Sequence, residues 1–269
     1  MRSPILFGFH IKGVVRHIMM SGNGLYVIRI EQKLSLTGCP YQSHQMNNTL
    51  ILDTVDLGAC PMCGSTENQK QLRSCPWKEC QCGMIYRDPR PSQKDLDAFY
   101  SGNGYHYSRG LSSIMQDASE HQRAKRIIEY LPLIPGRLLD VGCGRGYLLD
   151  WAIDRGWEVF GIEPCEGFVF NGIPNSKSLD NVIGVANVIT CIHTLEHVIN
   201  FKFMVSCMKN LLAEDGMIII EVPNKDSKGI FVDAHLSIFT PEILQKLFEP
   251  LRNDLLKFTP HTFMTFRRE

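Results

Sequence analysis

Three groups of side chains in this sequence have types and spacings that could do chemistry. The first lies in LLDVGCGRGYLLD, residues 138–150, where Gly142, Gly144 and Gly146 alternate behind a strand-like apolar run and open a helix-like one. Such a turn lets backbone N–H groups approach a ligand and aims a helix N-terminus at it. Asp140 stands two residues before the first of these glycines, and Glu163 ends the next strand-like run, EVFGIE. A carboxylate at that second position can accept from both hydroxyls of a ribose. The second group is HTLEH, in which His193, Glu196 and His197 fall at i, i+3 and i+4 and share one face if the segment is helical. A histidine there suits taking a proton from a hydroxyl or positioning a substrate. A divalent-metal site is another reading of the trio, and a helix cap with Glu196 bonding backbone or Arg145 is the plainest one. The third group is CPMCGSTENQKQLRSCPWKECQCG, with Cys60 and Cys63 as one C-x-x-C pair and Cys80 and Cys82 as a second pair. Two thiolate pairs are the donor set of tetrahedral zinc. The second pair reads C-Q-C, so Cys75 is an alternative to Cys80.

Details around the glycine turn separate its two usual ligands, a dinucleotide and S-adenosylmethionine. In G-C-G-R-G, Tyr147 occupies the place where the dinucleotide fingerprint requires a third, later glycine. The Asp140 carboxylate would repel a pyrophosphate but attract the α-ammonium of a methionine moiety, directly or through water. The chain also closes with two strand-like runs, DLLKF and TFMTFRR, joined by TPH. That ending fits a seven-stranded sheet better than a plain dinucleotide domain. A turn needed only for helix–strand packing is the bland alternative.

The elements that must position these groups follow from periodicity. SQKDLDAFY reads as a short capped helix, and ASEHQRAKRIIEYL as a longer amphipathic one ended by Pro132. After them RLLDVG, EVFGIE, NVITCI and MIIIEVP read as strands. YLLDWAIDRG, FKFMVSCMKNLLAEDG and TPEILQKLFE read as helices, the first two closed by Gly156 and Gly216 and the third capped by Thr240 with Pro241 in its first turn. Alternating strands and helices with near-continuously apolar strands predict a mostly parallel, Rossmann-like α/β sheet covered on both faces. The closing hairpin places one antiparallel strand at or near its edge. Three zones result: a leader over residues 1–58 without sustained periodicity, a cysteine ribbon over 59–92, and the α/β domain over 93–269.

Composition excludes several function classes. The 269 residues carry 28 basic and 28 acidic side chains and no basic stripe, which argues against nucleic-acid capture. Apolar runs such as MIII are too short to span a membrane. Residues 1–30 hold Arg2, Lys12, Arg16 and Arg29 and no acid, a loose presequence-like pattern, but the apolar piece ILFGF is too short for a secretory signal. Half of the ten cysteines crowd into the ribbon, which implies metal or redox chemistry in a reducing compartment, hence a cytoplasmic location, and not a disulfide scaffold.

The span from about Asp95 to the end resembles the class I S-adenosylmethionine-dependent methyltransferases. LLDVGCGRG is similar to their first motif and GIEP to the acidic one. ITCIHTLEHV, LLAEDGMIIIEVPN and DAHLSIFTPEILQKLFE are similar to later motifs of the branch containing ubiquinone-type O-methyltransferases. The resemblance implies that Gly142, Cys143, Gly144 and Gly146 cradle the methionine part, Asp140 holds its amino group and Glu163 the ribose. It implies further that residues 175–179, ending at Leu179, lie against adenine, with Cys191 and His193 closing the donor site. It implies methyl transfer to a small-molecule acceptor at oxygen, with His193 and His197 on the acceptor side, and a structural zinc in a ribbon followed by PRPS. His106, in FYSGNGYHYSRG, and His235, in DAHLSIFT, are further candidates for shaping the acceptor pocket. Three departures stand out: His193 replaces a family glutamate, Asn187 replaces a frequent aspartate, and the adenine side between Glu163 and Val188 is short. The first counts against magnesium. The last keeps open a second function, an inactive donor-binding domain fused to a zinc-ribbon module.

Overall fold

The computed structural model describes residues 6–11, 14–21, 24–30, 54–72, 76–101, 113–165, 172–227, 230–231, 234–259 and 261–268. The chain divides into two units, residues 1–39 and 40–269. In the first, β1 (Leu6–Ile11), β2 (Val14–Ser21) and β3 (Gly24–Ile30) form an antiparallel sheet. The register pairs Ile11 with Val14 and Ser21 with Gly24, so each connection is two residues long. The sequence reading has no element here. The signal it passed over is the pair of two-residue links, Lys12-Gly13 and Gly22-Asn23, between β-branched and aromatic runs. The rest of the expected leader, residues 31–53, lies outside the described residues.

The second unit opens with β4 (Thr54–Val55), β5 (Gln69–Gln71), β6 (Trp77–Cys80), β7 (Ile85–Arg87) and β8 (Arg90–Pro91). Helices α1 (Gln93–Ser101) and α2 (Ser113–Ile127) follow. Ser92 caps α1: its Oγ accepts from Asp95 N at 3.2 Å and donates to Asp95 Oδ2 at 2.7 Å. The α/β part then runs β9 (Arg137–Val141), α3 (Tyr147–Ile153), β10 (Glu158–Ile162), β11 (Asn175–Ser176), β12 (Ala186–Ile192), α4 (Phe201–Leu211), β13 (Leu212–Pro223), β14 (Ser237–Ile238), α5 (Pro241–Phe248), β15 (Arg252–Thr259) and β16 (His261–Arg267).

Seven of these strands form one sheet in the order β11-β10-β9-β12-β13-β16-β15. The first five are mutually parallel, and β16 runs antiparallel between β13 and β15. This is the expected mostly parallel sheet with a terminal antiparallel hairpin. Alternation along the strands gives it two covered faces. Leu139, Val141, Ile189 and Ile220 pack with Phe201, Val205 and Met208 of α4 and Ile243 and Phe248 of α5. Leu138, Val188 and Ile219 pack with Ala124 and Ile127 of α2 and with Leu148 and Leu149 of α3.

One expectation changes. The helix expected to run to Gly216 ends at Leu211, because buried Leu212 pairs with Ala186 and extends the sheet past a bulge. The short adenine side holds only the two-residue β11 and a 3-10 turn, Leu179–Asn181, among the described residues. The crossover at β9 and β10, with its glycine turn, sits where β12 reverses the direction of sheet growth, the usual crevice of an open α/β sheet.

Candidate functional site

The glycine turn is anchored on the neighbouring strand: the N–H groups of Gly142 and Cys143 both donate to the Ile162 carbonyl, at 2.7 and 3.0 Å. Gly142 has φ +76, and a Cβ there would lie 2.0 Å from Thr194 Oγ1, so the position excludes any side chain twice over. Gly146 is the N-cap of α3. The Cys143 thiol is buried over Gly161, where a Cβ would lie 2.7 Å from its sulfur. That missing Cβ is what lets the turn settle on β10.

The two acids take up different environments. Glu163 Oε2 accepts from Gly144 N and its Oε1 from Cys165 N, both at 2.9 Å. Each oxygen keeps a second lone pair, so the carboxylate can still receive ribose hydroxyls. Asp140 is only 5% exposed, and its Oδ1 accepts from Thr190 Oγ1 at 2.7 Å. Burial pushes its carboxyl up to about 7; the Thr190 bond opposes this and the nearby Glu163 charge adds to it. An anionic oxygen held in so dry a place is complementary to an incoming cation.

A cavity of about 630 Å³ opens above this floor. Asp140, Gly142, Cys143, Gly144, Glu163, Leu179, His193 and His197 all line it, so most of the predicted site residues converge. Cys191 does not line it: its side chain is fully buried in the core between sheet and helices. Asn187 lies at the opposite end of the sheet, where its Oδ1 accepts from Arg137 N at 2.8 Å. Its departure from the family pattern therefore does not touch the cavity. Tyr100 of α1 and Phe203 of α4 line the outer walls, while residues 102–112, including His106, lie outside the described residues.

The HTLEH segment differs from the expected helical face. Only Leu195–His197 form a 3-10 turn, and His193 stands before it with φ +51. His193 nevertheless meets two buried carboxylates: Nδ1 is 3.3 Å from Glu196 Oε1, and Nε2 is 3.2 Å from Glu221 Oε1. Its ring also stands edge-on to that of His261, with centroids 4.3 Å apart. Both distances lie within ion-pair range, but neither contact is aligned as a hydrogen bond. Glu196 lies beside this histidine and beside His197 Nε2, 3.8 Å away, and neither of its oxygens accepts a hydrogen bond from the backbone. Burial opposes its ionisation, but the His193 contact and the charges of His197, His193 and His235 outweigh that and hold Glu196 at about 2.

Sequence reasoning missed Glu221 and its clamp. Glu221 is fully buried at the end of β13, where Arg126 of α2 donates to both its oxygens at 2.8 and 2.6 Å and Arg123 Nε stands 3.8 Å away. The available signal was one acid inside MIIIEVP and two arginines at i, i+3 in ASEHQRAKR. A second cluster joins Glu196, His197 and His235, whose ligand-type atoms lie within 4.8 Å of one another. His197 Nδ1 donates to the Ala234 carbonyl at 2.9 Å and His235 Nδ1 to the Ile230 carbonyl at 2.7 Å, which leaves Nε2 of each ring as the nitrogen available to the cluster. Two imidazoles and one carboxylate suit a transition ion; magnesium, which takes oxygens, does not fit.

The four predicted cysteines also meet. Sγ of Cys60 lies 3.7 Å from that of Cys82, and Sγ of Cys63 lies 3.6 Å from that of Cys80, with all four within 4.8 Å. Four thiolates about 2.3 Å from a central zinc are about 3.8 Å apart, whereas a disulfide needs about 2 Å. Matching knuckles support them: Gly64 N donates to Cys60 O at 2.8 Å and Gly83 N to Cys80 O at 2.9 Å. In both pairs the glycine after the second cysteine donates to the carbonyl of the first, through a turn one residue tighter in C-Q-C, and Cys75 lies outside the described residues.

Comparison with known proteins gives a consistent picture. Residues 114–258, more than half of the chain, match the family described as Methyltransferase domain. A ubiquinone biosynthesis O-methyltransferase of Glaesserella parasuis is 27% identical over 114 residues, 35% of this chain and 48% of that protein. The enzyme of the same name from Thiobacillus denitrificans is 27% identical over 142 residues, 47% of this chain and 60% of that one. The chain therefore spans only about half to three fifths of these relatives. Among solved structures, magnesium protoporphyrin IX methyltransferase from Synechocystis PCC 6803, with bound SAH, superposes with a TM-score of 0.53 at 15% identity, covering 66% of this chain and 100% of the other. Burkholderia thailandensis 1,6-didemethyltoxoflavin-N1-methyltransferase, with substrate and S-adenosylhomocysteine bound, gives 0.53 at 16% identity, covering 75% and 99%. These likenesses show the fold.

Proposed function

The chain belongs to the methyltransferase domain family, and on that premise we propose that it transfers the methyl group of S-adenosylmethionine to an oxygen of a small-molecule acceptor. The observation that carries this reading is Asp140, a buried carboxylate on the floor of a cavity whose other acid is Glu163. Asp140 receives the α-ammonium of the donor, Glu163 the ribose, and Leu179 the adenine edge. The N–H groups of the glycine turn face the methionine end. Bound there, the donor supplies a methyl already activated on a sulfonium and leaves as S-adenosylhomocysteine.

The protein's share of the work is alignment and proton handling. Holding acceptor oxygen and methyl carbon in line removes most of the entropic part of the barrier. For His193 to take the proton that the acceptor hydroxyl releases, one ring nitrogen must turn from its carboxylate to the acceptor, and the carboxylate at the other nitrogen then stabilises the imidazolium. His197 is held by the Ala234 carbonyl on the same side of the cavity. Cys60, Cys63, Cys80 and Cys82 hold a structural zinc away from the methyl path, a reading that their spacing supports. Names of the similar curated proteins support oxygen as the acceptor atom, and the neighbour with bound 1,6-didemethyltoxoflavin supports a small molecule. The test is a screen of phenolic, carboxylic and sugar acceptors with methyl-labelled donor. Label on oxygen of one class is expected; transfer to nitrogen or carbon alone would end the oxygen assignment, and donor binding without any transfer would favour the inactive module.

A further inference from the structure

We propose that the cysteine cluster is a metal-dependent brace for the acceptor wall of the cavity. Zinc held by Cys60, Cys63, Cys80 and Cys82 fixes β7, β7 holds β14, and the segment entering β14 holds Glu196 and His197. Each link after the metal is a hydrogen bond or strand pairing between named residues. The second knuckle leads straight into β7, with Cys80 N donating to the Met84 carbonyl at 2.9 Å. Ile85 and Tyr86 of β7 pair with Ile238 and Ser237 of β14, so a strand from the far end of the chain completes the ribbon's sheet. Beside that pairing, Arg87 N donates to the Leu236 carbonyl at 2.9 Å, and Leu236 N donates to the Glu196 carbonyl at 2.8 Å. Two residues earlier, the Ala234 carbonyl receives His197 Nδ1.

Met84 and Tyr86 are fully buried in one core with Cys60, Cys80, Leu195, Phe239 and Ile243; Leu139, Val141 and Ile162 belong to the same core, so the two walls are separated by their hydrogen bonds and not by packing. The donor side is built differently: the glycine turn rests on Ile162 and Glu163, and Asp140 on Thr190. None of these bonds involves β5–β7 or β14. The ribbon is small and four-thiol knuckles of this kind derive much of their order from the ion. Loss of the ion should therefore loosen the wall carrying Glu196, His197 and His235 and leave the donor floor intact. Calling this the acceptor wall rests on the function proposed above; the metal and its mechanical link do not.

Full-length protein purified without a metal-binding tag should contain about one zinc ion per chain by elemental analysis. Cys63→Ser, at the exposed ligand, should lose it. Amide exchange over residues 193–197 and 234–239 should then quicken by at least about tenfold, with little change over 138–144. Affinity for S-adenosylmethionine should stay within about threefold. If Cys63→Ser does not fold, zinc stripped from the unaltered protein with an organomercurial and then restored gives the same comparison. Leu236→Pro, which deletes the N–H that holds Glu196, should keep its zinc and show the same loosening. Less than about half an equivalent of zinc overturns the site. Zinc loss with unchanged exchange over 234–239, or equal loosening of both walls, overturns the brace. Failure of donor binding in the zinc-loaded protein would count against the proposed function alone.

Discussion

Thr190 Oγ1 donates to Asp140 Oδ1 across 2.7 Å, one strand to the next, in the floor of the cavity. This bond fixes a carboxylate that burial otherwise makes costly to ionise, and burial wins: the carboxyl stands at about 7. The group's folded value lies above its ordinary 3.8. Its contribution to stability is therefore complete below 3.8 and is lost as the pH rises through about 7.

Asp140→Asn should accordingly stabilise the ligand-free protein at alkaline pH while keeping an acceptor for Thr190. The expected gain is on the order of 1–3 kcal/mol at about pH 8, shrinking toward zero at about pH 4. Urea unfolding of both proteins at the two pH values measures it. Equal stabilities at the higher pH would mean that the carboxylate is already well compensated without a ligand.

The carboxylates around His193 behave in the opposite sense. Burial opposes ionisation of Glu196 and Glu221, yet the His193 contact, with Arg126 at Glu221, holds both below the ordinary 4.5, Glu196 at about 2. The contribution of each is present above 4.5 and is lost as the pH falls through its lowered value, about 2 for Glu196. Glu221→Gln should cost about 1–3 kcal/mol at neutral pH, since it leaves the Arg126 clamp without its charge partner. It should also flatten the decline of stability below 4.5. A variant with the same acid profile as the parent would refute the clamp.

Gly142 offers a steric test. A Cβ there meets Thr194 Oγ1 at 2.0 Å in a left-handed conformation, so Gly142→Ala should cost about 2–4 kcal/mol and weaken donor binding at least about tenfold. Adding Thr194→Gly removes the clash but not the backbone strain. Partial recovery in the double variant is the expected result; full recovery would assign the whole effect to Thr194.

Much of this was legible in the sequence because it is local. The β9–α3 turn with its three glycines and Asp140 spans a few residues, Glu163 ends the very next strand, and each knuckle of the ribbon is a short motif, so their spacing carries the geometry. What escaped depends on distance along the chain. The Glu221–Arg126 pair spans 95 residues and joins two elements that only the sheet order brings together. Strand β14 completes the ribbon from the other end of the chain, a pairing that a two-residue strand does not announce. The side of β12 that Cys191 faces was not legible, because alternation along a buried strand does not reveal which face meets the cavity and which the core. The two-residue turns of the first unit were local but weak, since Lys12-Gly13 and Gly22-Asn23 also read as loop.

The account depends on a desolvated carboxylate meeting the ammonium of the methyl donor, and calorimetric titration of the unaltered protein and of Asp140→Asn measures that encounter. S-adenosylmethionine should bind the parent while NAD does not, and the variant should bind it at least about a hundredfold more weakly although it remains folded and zinc-loaded. Equal affinity in the two proteins, or binding of NAD in place of S-adenosylmethionine, would contradict the account.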